Sequence, residues 1–216
     1  GVSYLMLATC QGYLNHREEL KVTATDESHE DVLQFPLASI STPVLIDNIF
    51  YEFDRADLTK ASELELDKLV ALLNENPHVT IELSSHCDYK GSAEYNKRLS
   101  QRRAESVVNY LIAHGIAADR LTPMGYGKER PKKIKKKVAE KYPWLKVDDE
   151  LTPDFIKALK NPEKEEICNS LNRRTEFTVL CTTYGLFDEN GNLKAQPKPA
   201  KKPESSSDDV DFEFYE

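Results

Sequence analysis

One stretch of this sequence places an acid, a base and an amide where they can hold a small charged ligand. Asp88 follows a strand-like run, residues 79–83, and precedes the turn Lys90-Gly91-Ser92. An ionised carboxylate offers only acceptors and suits a cation. Arg103 lies on the helix that follows, and its planar guanidinium matches a carboxylate bidentately. At about 100° per residue, Asn96, Leu99, Arg103 and Tyr110 share one flank of that helix, so Asn96 and Arg103 project from the same side. Each residue also has a plainer reading. An aspartate after a strand commonly bonds its own backbone in a turn, and a helix arginine is usually solvated. His86 has no partner spaced for a triad or a ligand set, so it is read as making a structural hydrogen bond. Nucleophile–base pairs, paired carboxylates at hydrolase spacing and metal-ligand sets are not visible, which points away from an enzyme and from any metal or cofactor.

The elements that must carry these residues follow from periodicity. Val44, Leu45, Ile46, Ile49, Phe50, Tyr51 and Phe53 read as a buried strand ending at Asp54. Thr59 caps a helix in which Leu66, Leu69, Val70 and Leu73 form one apolar face, and Pro77 prevents its continuation. Val79, Ile81 and Leu83 alternate with polar residues as a half-buried strand. The next helix runs from about Glu94 to His114 and stops at Gly115, with Ala104, Val107, Val108 and Leu111 as its core stripe. Strands follow over 120–126 and 174–181. The expectation is an α/β fold of order β-α-β-α-β-β.

Residues 128–172 form an insertion between the last two strands. Lys132, Lys133, Lys135, Lys136 and Lys137 read there as a solvated helix face. Two short helices are signalled by Thr152 before Pro153 and Asn161 before Pro162. Residues 2–8 and 20–25 read as strands around Gly12 and Asn15, residues 26–43 as a polar linker, and 185–216 as a disordered, proline-rich tail.

Charge and composition narrow the partners. The 216 residues are 39% hydrophobic and 31% charged, with a formal net charge of −8. Nucleic-acid binding needs clustered positive charge, so nucleic acid is not expected. No apolar run reaches the roughly 18 residues of a membrane helix, and membrane association is expected only through parts of a longer protein. Cys10, Cys87, Cys168 and Cys181 lack a C-x-x-C spacing. Cys168 and Cys181 are compatible with a disulfide in an oxidising compartment and equally with free buried thiols.

The run Ser84-Ser-His-Cys-Asp-Tyr-Lys-Gly-Ser-Ala-Glu-Tyr-Asn-Lys-Arg-Leu-Ser-Gln-Arg-Arg-Ala-Glu-Ser-Val-Val108 resembles the OmpA C-terminal-like family. The resemblance takes in Phe53-Asp54, Gly125-Tyr126-Gly127 and Asn172-Arg173-Arg174, and extends over residues 44–184 apart from the insertion. It implies a mixed four-stranded sheet packed on helices, with a ligand site at one end. It also implies a partner, the stem peptide of peptidoglycan, and a ligand, the end of meso-diaminopimelate that carries an ammonium and a carboxylate on one carbon. In the family the aspartate of H-x-D and the last arginine of L-S-x-x-R hold these two charges; the matching positions here are Asp88 and Arg103. Asn96 matches the asparagine of the Y-N pair, and Asp54 and Arg174 match further positions near the site. Cys87 stands where the family usually has threonine, and Ser85 where it has glycine. The resemblance implies periplasmic anchoring of an outer-membrane protein to the wall. The alternative is a protein-interaction scaffold of the same fold that docks a partner through the basic insertion. Residues 4–13 resemble the closing strands of a carboxypeptidase regulatory-like β-sandwich, so residues 1–25 are expected to end an upstream β domain.

Overall fold

The computed structural model describes residues 2–22, 32–46, 49, 58–188, 191, 192 and 194. Phe50, Tyr51, Phe53 and Asp54 of the expected first strand, and residues 195–216 of the expected tail, lie outside the described residues. The chain divides into two units, residues 1–184 and 185–216. In the second, a turn is closed by Asp188 N–H donating to Asn192 O at 2.9 Å and Lys194 N–H to Leu186 O at 2.8 Å.

The first unit is built on a four-stranded sheet of order β3-β6-β4-β5, from β3 (Val44–Ile46), β4 (Thr80–His86), β5 (Leu121–Gly127) and β6 (Thr175–Cys181). β4 runs parallel to β5, while β6 is antiparallel to both β3 and β4. The parallel pair needs a crossover, and it is helix α2 (Ala93–Ala113) that packs over β5 and β4. Helix α1 (Lys60–Glu75) joins β3 to β4. The expected β-α-β-α-β-β order and mixed sheet are therefore present.

The helix ends follow the sequence signals. Thr59 accepts from Ser62 N–H at 3.3 Å and Ser92 from Tyr95 N–H at 3.1 Å, satisfying first-turn donors that have no intrahelical partner. Gly115, just past α2, takes φ +89, the left-handed conformation glycine adopts without strain. The end of α1 uses a device that periodicity does not reveal. The buried Arg120 guanidinium donates to the carbonyls of Leu73, Asn76 and Val79 at 2.8–2.9 Å, pinning the helix end to the start of β4. Leu66, Leu73, Ile81, Leu83, Val107 and Leu111 are fully buried between α1, α2 and the sheet. Each such leucine contributes about 2 kcal/mol by leaving water.

The N-terminal segment is a two-stranded antiparallel hairpin, β1 (Val2–Ala8) and β2 (His16–Val22). The second strand begins earlier than its apolar alternation suggests, because the polar run from His16 to Glu19 pairs with Leu5–Ala8 on an exposed ribbon. Its connecting loop packs on the domain. Leu14 is buried in the main core, and Asn15 exchanges two 2.9 Å hydrogen bonds with the Asn76 side chain.

The insertion forms a second apolar core of Ile134, Leu145, Leu151, Ile156 and Cys168. It contains α3 (Lys136–Lys141), α4 (Pro153–Ala158) and α5 (Pro162–Asn172), with Thr152 and Asn161 capping α4 and α5 as expected. The lysine run is not one solvated face. Lys132 precedes α3 and is buried, its Nζ 2.9 Å from Glu176 on β6. Cys168 and Cys181 are free thiols, Cys168 wholly buried in the insertion core. Among the described residues, no helix is long and apolar enough to cross a membrane.

Candidate ligand-binding site

The site lies where β4 leaves the sheet. His86 N–H donates to Arg174 O at 2.9 Å and Cys87 N–H to Gly127 O at 2.8 Å, so the end of β4 is held between the start of β6 and the end of β5. Asp88 is thereby presented at the rim. Its Oδ1 accepts from Lys90 N–H at 2.9 Å, the local turn bond that the plainer reading anticipates. The chain then turns through Gly91, at φ +88, into α2. The Asn96 amide fixes this loop by donating to Lys90 O at 2.7 Å. Asn96 is buried, so what it demonstrably does is position the Asp88 loop.

Arg103, two turns further along α2, is half-buried. It lines a cleft of about 230 Å³ together with Ile49, His86, Ser170, Arg173, Arg174 and Thr175. Cys87 feels the charge of both the candidate acid and the candidate base. Burial raises its thiol pKa; the Arg103 charge and a hydrogen bond from Arg103 pull the other way, and Asp88 adds to the rise. The thiol itself bonds Asn96 O at 3.6 Å, which locks α2 to the strand end.

Arg173 is not singled out by the sequence, yet it makes a short contact to the candidate acid, Nη1 to Asp88 Oδ2 at 2.7 Å. Its other amine reaches Glu166 of α5 at 2.6 Å, and Glu166 Oε2 lies 3.4 Å from Lys90 Nζ. The available signal is the doubled arginine of Asn172-Arg173-Arg174. β6 starts only at Thr175, so strand alternation does not tell which of the two arginines faces the rim.

Arg174 turns towards Glu176. Its Nε lies 3.0 Å from Glu176 Oε1 without an aligned hydrogen bond, and its amines donate to Arg130 O at 3.3 Å. Burial alone would raise the Glu176 carboxyl, but Arg174 and Lys132 overcome it and hold the pKa down to about 2. Beside this cluster His86 stacks on Tyr126, with ring centroids 5.4 Å apart, and the Arg130 guanidinium covers the Tyr126 ring at 3.5 Å. Among the described residues, neither ring nitrogen of His86 has a hydrogen-bond partner, contrary to the structural bond expected for it. A carboxylate oxygen of Glu176 is 3.7 Å from Nε2.

Burial, reinforced by Arg174, pushes His86 down to about 3 from 6.5. Below pH 6.5 the unfolded chain therefore takes up a proton that the folded one refuses, and stability falls as pH drops towards 3. Glu176 adds a second fall between 4.5 and about 2. The unfolding free energy from urea denaturation should decline by about 1 kcal/mol per pH unit between 6.5 and 4.5, and His86→Asn should remove that decline. A flat wild-type profile over this window would contradict the neutral, buried imidazole.

The sheet order and the crossover helix together define a mixed α/β domain. Residues 50–142 match the OmpA family. The chain is 33% identical over 85 residues to a peptidoglycan-associated lipoprotein of Rhizobium meliloti, covering 39% of this chain and 48% of the relative. It is 32% identical over 100 residues to outer membrane protein P5 of Haemophilus influenzae, covering 46% and 28%. The chain thus spans half or less of these two relatives. Among solved structures, the peptidoglycan-associated lipoprotein from Burkholderia pseudomallei aligns at 21% identity and a TM-score of 0.44, covering 61% of this chain and 88% of that one.

Proposed function

We propose that this chain is a non-enzymatic module that binds peptidoglycan without a covalent bond, through the ammonium and carboxylate at the side-chain end of meso-diaminopimelate. On this reading it anchors an outer-membrane protein to the cell wall from the periplasm, and other parts of the longer protein supply the membrane attachment. The observation that carries it is that an acid and a base of opposite charge sit beside the end of β4, Asp88 in the loop held there and Arg103 lining the adjacent cleft, both acting on the Cys87 thiol. A zwitterionic carbon is satisfied by such a pair, ammonium to Asp88 and carboxylate to Arg103. The relatives' names, peptidoglycan-associated lipoprotein and outer membrane protein, support an envelope setting. Arg174 acts here by holding Glu176 and the strand end, and Cys87 by holding α2. The alternative of a partner docked through the basic insertion is less favoured, because Lys132 is committed to Glu176 and α5 contributes a wall of the cleft.

The test is co-sedimentation of the protein with purified cell walls of two chemistries. Diaminopimelate-type walls should retain the protein. Lysine-type walls, whose stems lack the second carboxylate, should retain at least about tenfold less, as expected when a charge-assisted pair goes unmade. Equal retention by both removes Arg103 from carboxylate recognition, and no retention by either removes wall binding.

A further inference from the structure

Asp88, the candidate ammonium acceptor, is already occupied by a cation of the protein's own. Arg173 divides its guanidinium, giving Nη1 to Asp88 at 2.7 Å and Nη2 to Glu166 at 2.6 Å. Glu166 in turn reaches Lys90, in the loop that carries Asp88, at 3.4 Å. The four side chains form a chain of alternating charge, Asp88–Arg173–Glu166–Lys90, and Arg173 also lines the cleft. Glu166 belongs to the insertion, on α5, and Ser170 of the same helix lines the cleft. The insertion is thus part of the site.

We propose that Glu166 is a positioning residue that sets how readily Asp88 accepts a ligand ammonium, acting through Arg173; this rests on the diaminopimelate reading above. Ligand entry exchanges Arg173 from Asp88 onto Glu166, and the ammonium takes the vacated Oδ2. The argument turns on the fork geometry of arginine, which grips a single carboxylate best with two parallel N–H bonds. While Glu166 holds one amine, Arg173 gives Asp88 only the other and is easier to displace. Without the Glu166 charge, Arg173 is free to close on Asp88 with both amines. Arg173 is partly solvent-exposed, with 38% of its side-chain surface open, so the exchange needs no repacking of the core.

The experiment is a titration of free meso-diaminopimelate against the full chain and three variants. Glu166→Gln should weaken binding about fivefold, the scale of one exposed ion pair, and Glu166→Asp should restore most of it. Arg173→Gln should bind no more weakly than wild type, since it removes a competitor, and adding Glu166→Gln in that background should change nothing further. An equal loss in both backgrounds would show that Glu166 acts on the ligand or the fold directly, and would overturn the proposal. So would unchanged binding by Glu166→Gln, or lost binding by Arg173→Gln. If the wild-type chain itself ignores diaminopimelate, the proposed function fails first; if it binds and Glu166→Gln matches it, only the exchange fails.

Discussion

Arg103→Ala and Asp88→Ala each remove retention of the protein by diaminopimelate-type cell walls while the domain stays folded. The expected magnitude comes from what is left behind. Removing one member of a desolvated charge pair costs about 2 to 5 kcal/mol, much of it from stranding the opposite charge on the ligand. The losses should differ in kind. Arg103→Ala strands the ligand carboxylate and leaves the Asp88 turn intact. Asp88→Ala also releases Arg173 Nη1, while Glu166 still holds Nη2, and removes the bond to Lys90 N–H, so Asp88→Asn is the sharper variant. Its amide oxygen keeps the turn bond, but it carries no charge for the ammonium. Co-sedimentation with a circular dichroism control measures this. Retained binding by both Asp88→Asn and Arg103→Ala would remove the two residues from the site.

Gly125→Val is expected to be the most damaging single change to the fold. A Cβ at Gly125 would stand 2.2 Å from Gln101 N and 2.6 Å from both Gln101 Cα and Ser100 Oγ. Two of those atoms are backbone of α2 and cannot rotate away. The close approach is what lets Gly125 N–H donate to Gln101 Oε1 and Gly127 N–H to Ser100 Oγ, both at 2.8 Å. Any side chain must therefore push α2 off β5 and carry Arg103 with it. Overpacking of this kind costs about 3 kcal/mol or more when backbone must move. Gly115 is the internal comparison, because it too is glycine but at φ +89, with nothing within 4 Å of the place a Cβ would take. Gly115→Ala should cost only about 1 kcal/mol, the left-handed penalty alone. Urea denaturation of the two variants decides it, and a Gly125→Val midpoint near that of wild type would contradict the helix–strand contact.

Much of this architecture is legible in the sequence because each main element buries a periodic apolar face. Leu66, Leu69 and Leu73 on α1 and Ala104, Val107 and Leu111 on α2 lie where the helical period puts them, all buried. The caps at Thr59, Thr152 and Asn161 are readable because each bond spans only three residues. The site is legible only in part, since its decisive contacts join residues far apart in sequence. Arg173 meets Asp88, and Lys132 meets Glu176, across long sequence separations that no local period encodes. Lys132 shows the limit well. Beside four other lysines its charge looks solvated, and only the fold brings Glu176 beneath it. Asn96 shows the reverse. It does share a flank with Arg103, but its side chain reaches back to Lys90 O, a bond that depends on the loop before it folding over.

The most direct measurement is a crystal structure of the chain soaked with free meso-diaminopimelate. The account predicts the ligand ammonium on the Asp88 carboxylate, its carboxylate on the Arg103 guanidinium, and Arg173 drawn onto Glu166. A ligand bound elsewhere, or seated with its charges away from Asp88 and Arg103, would contradict it.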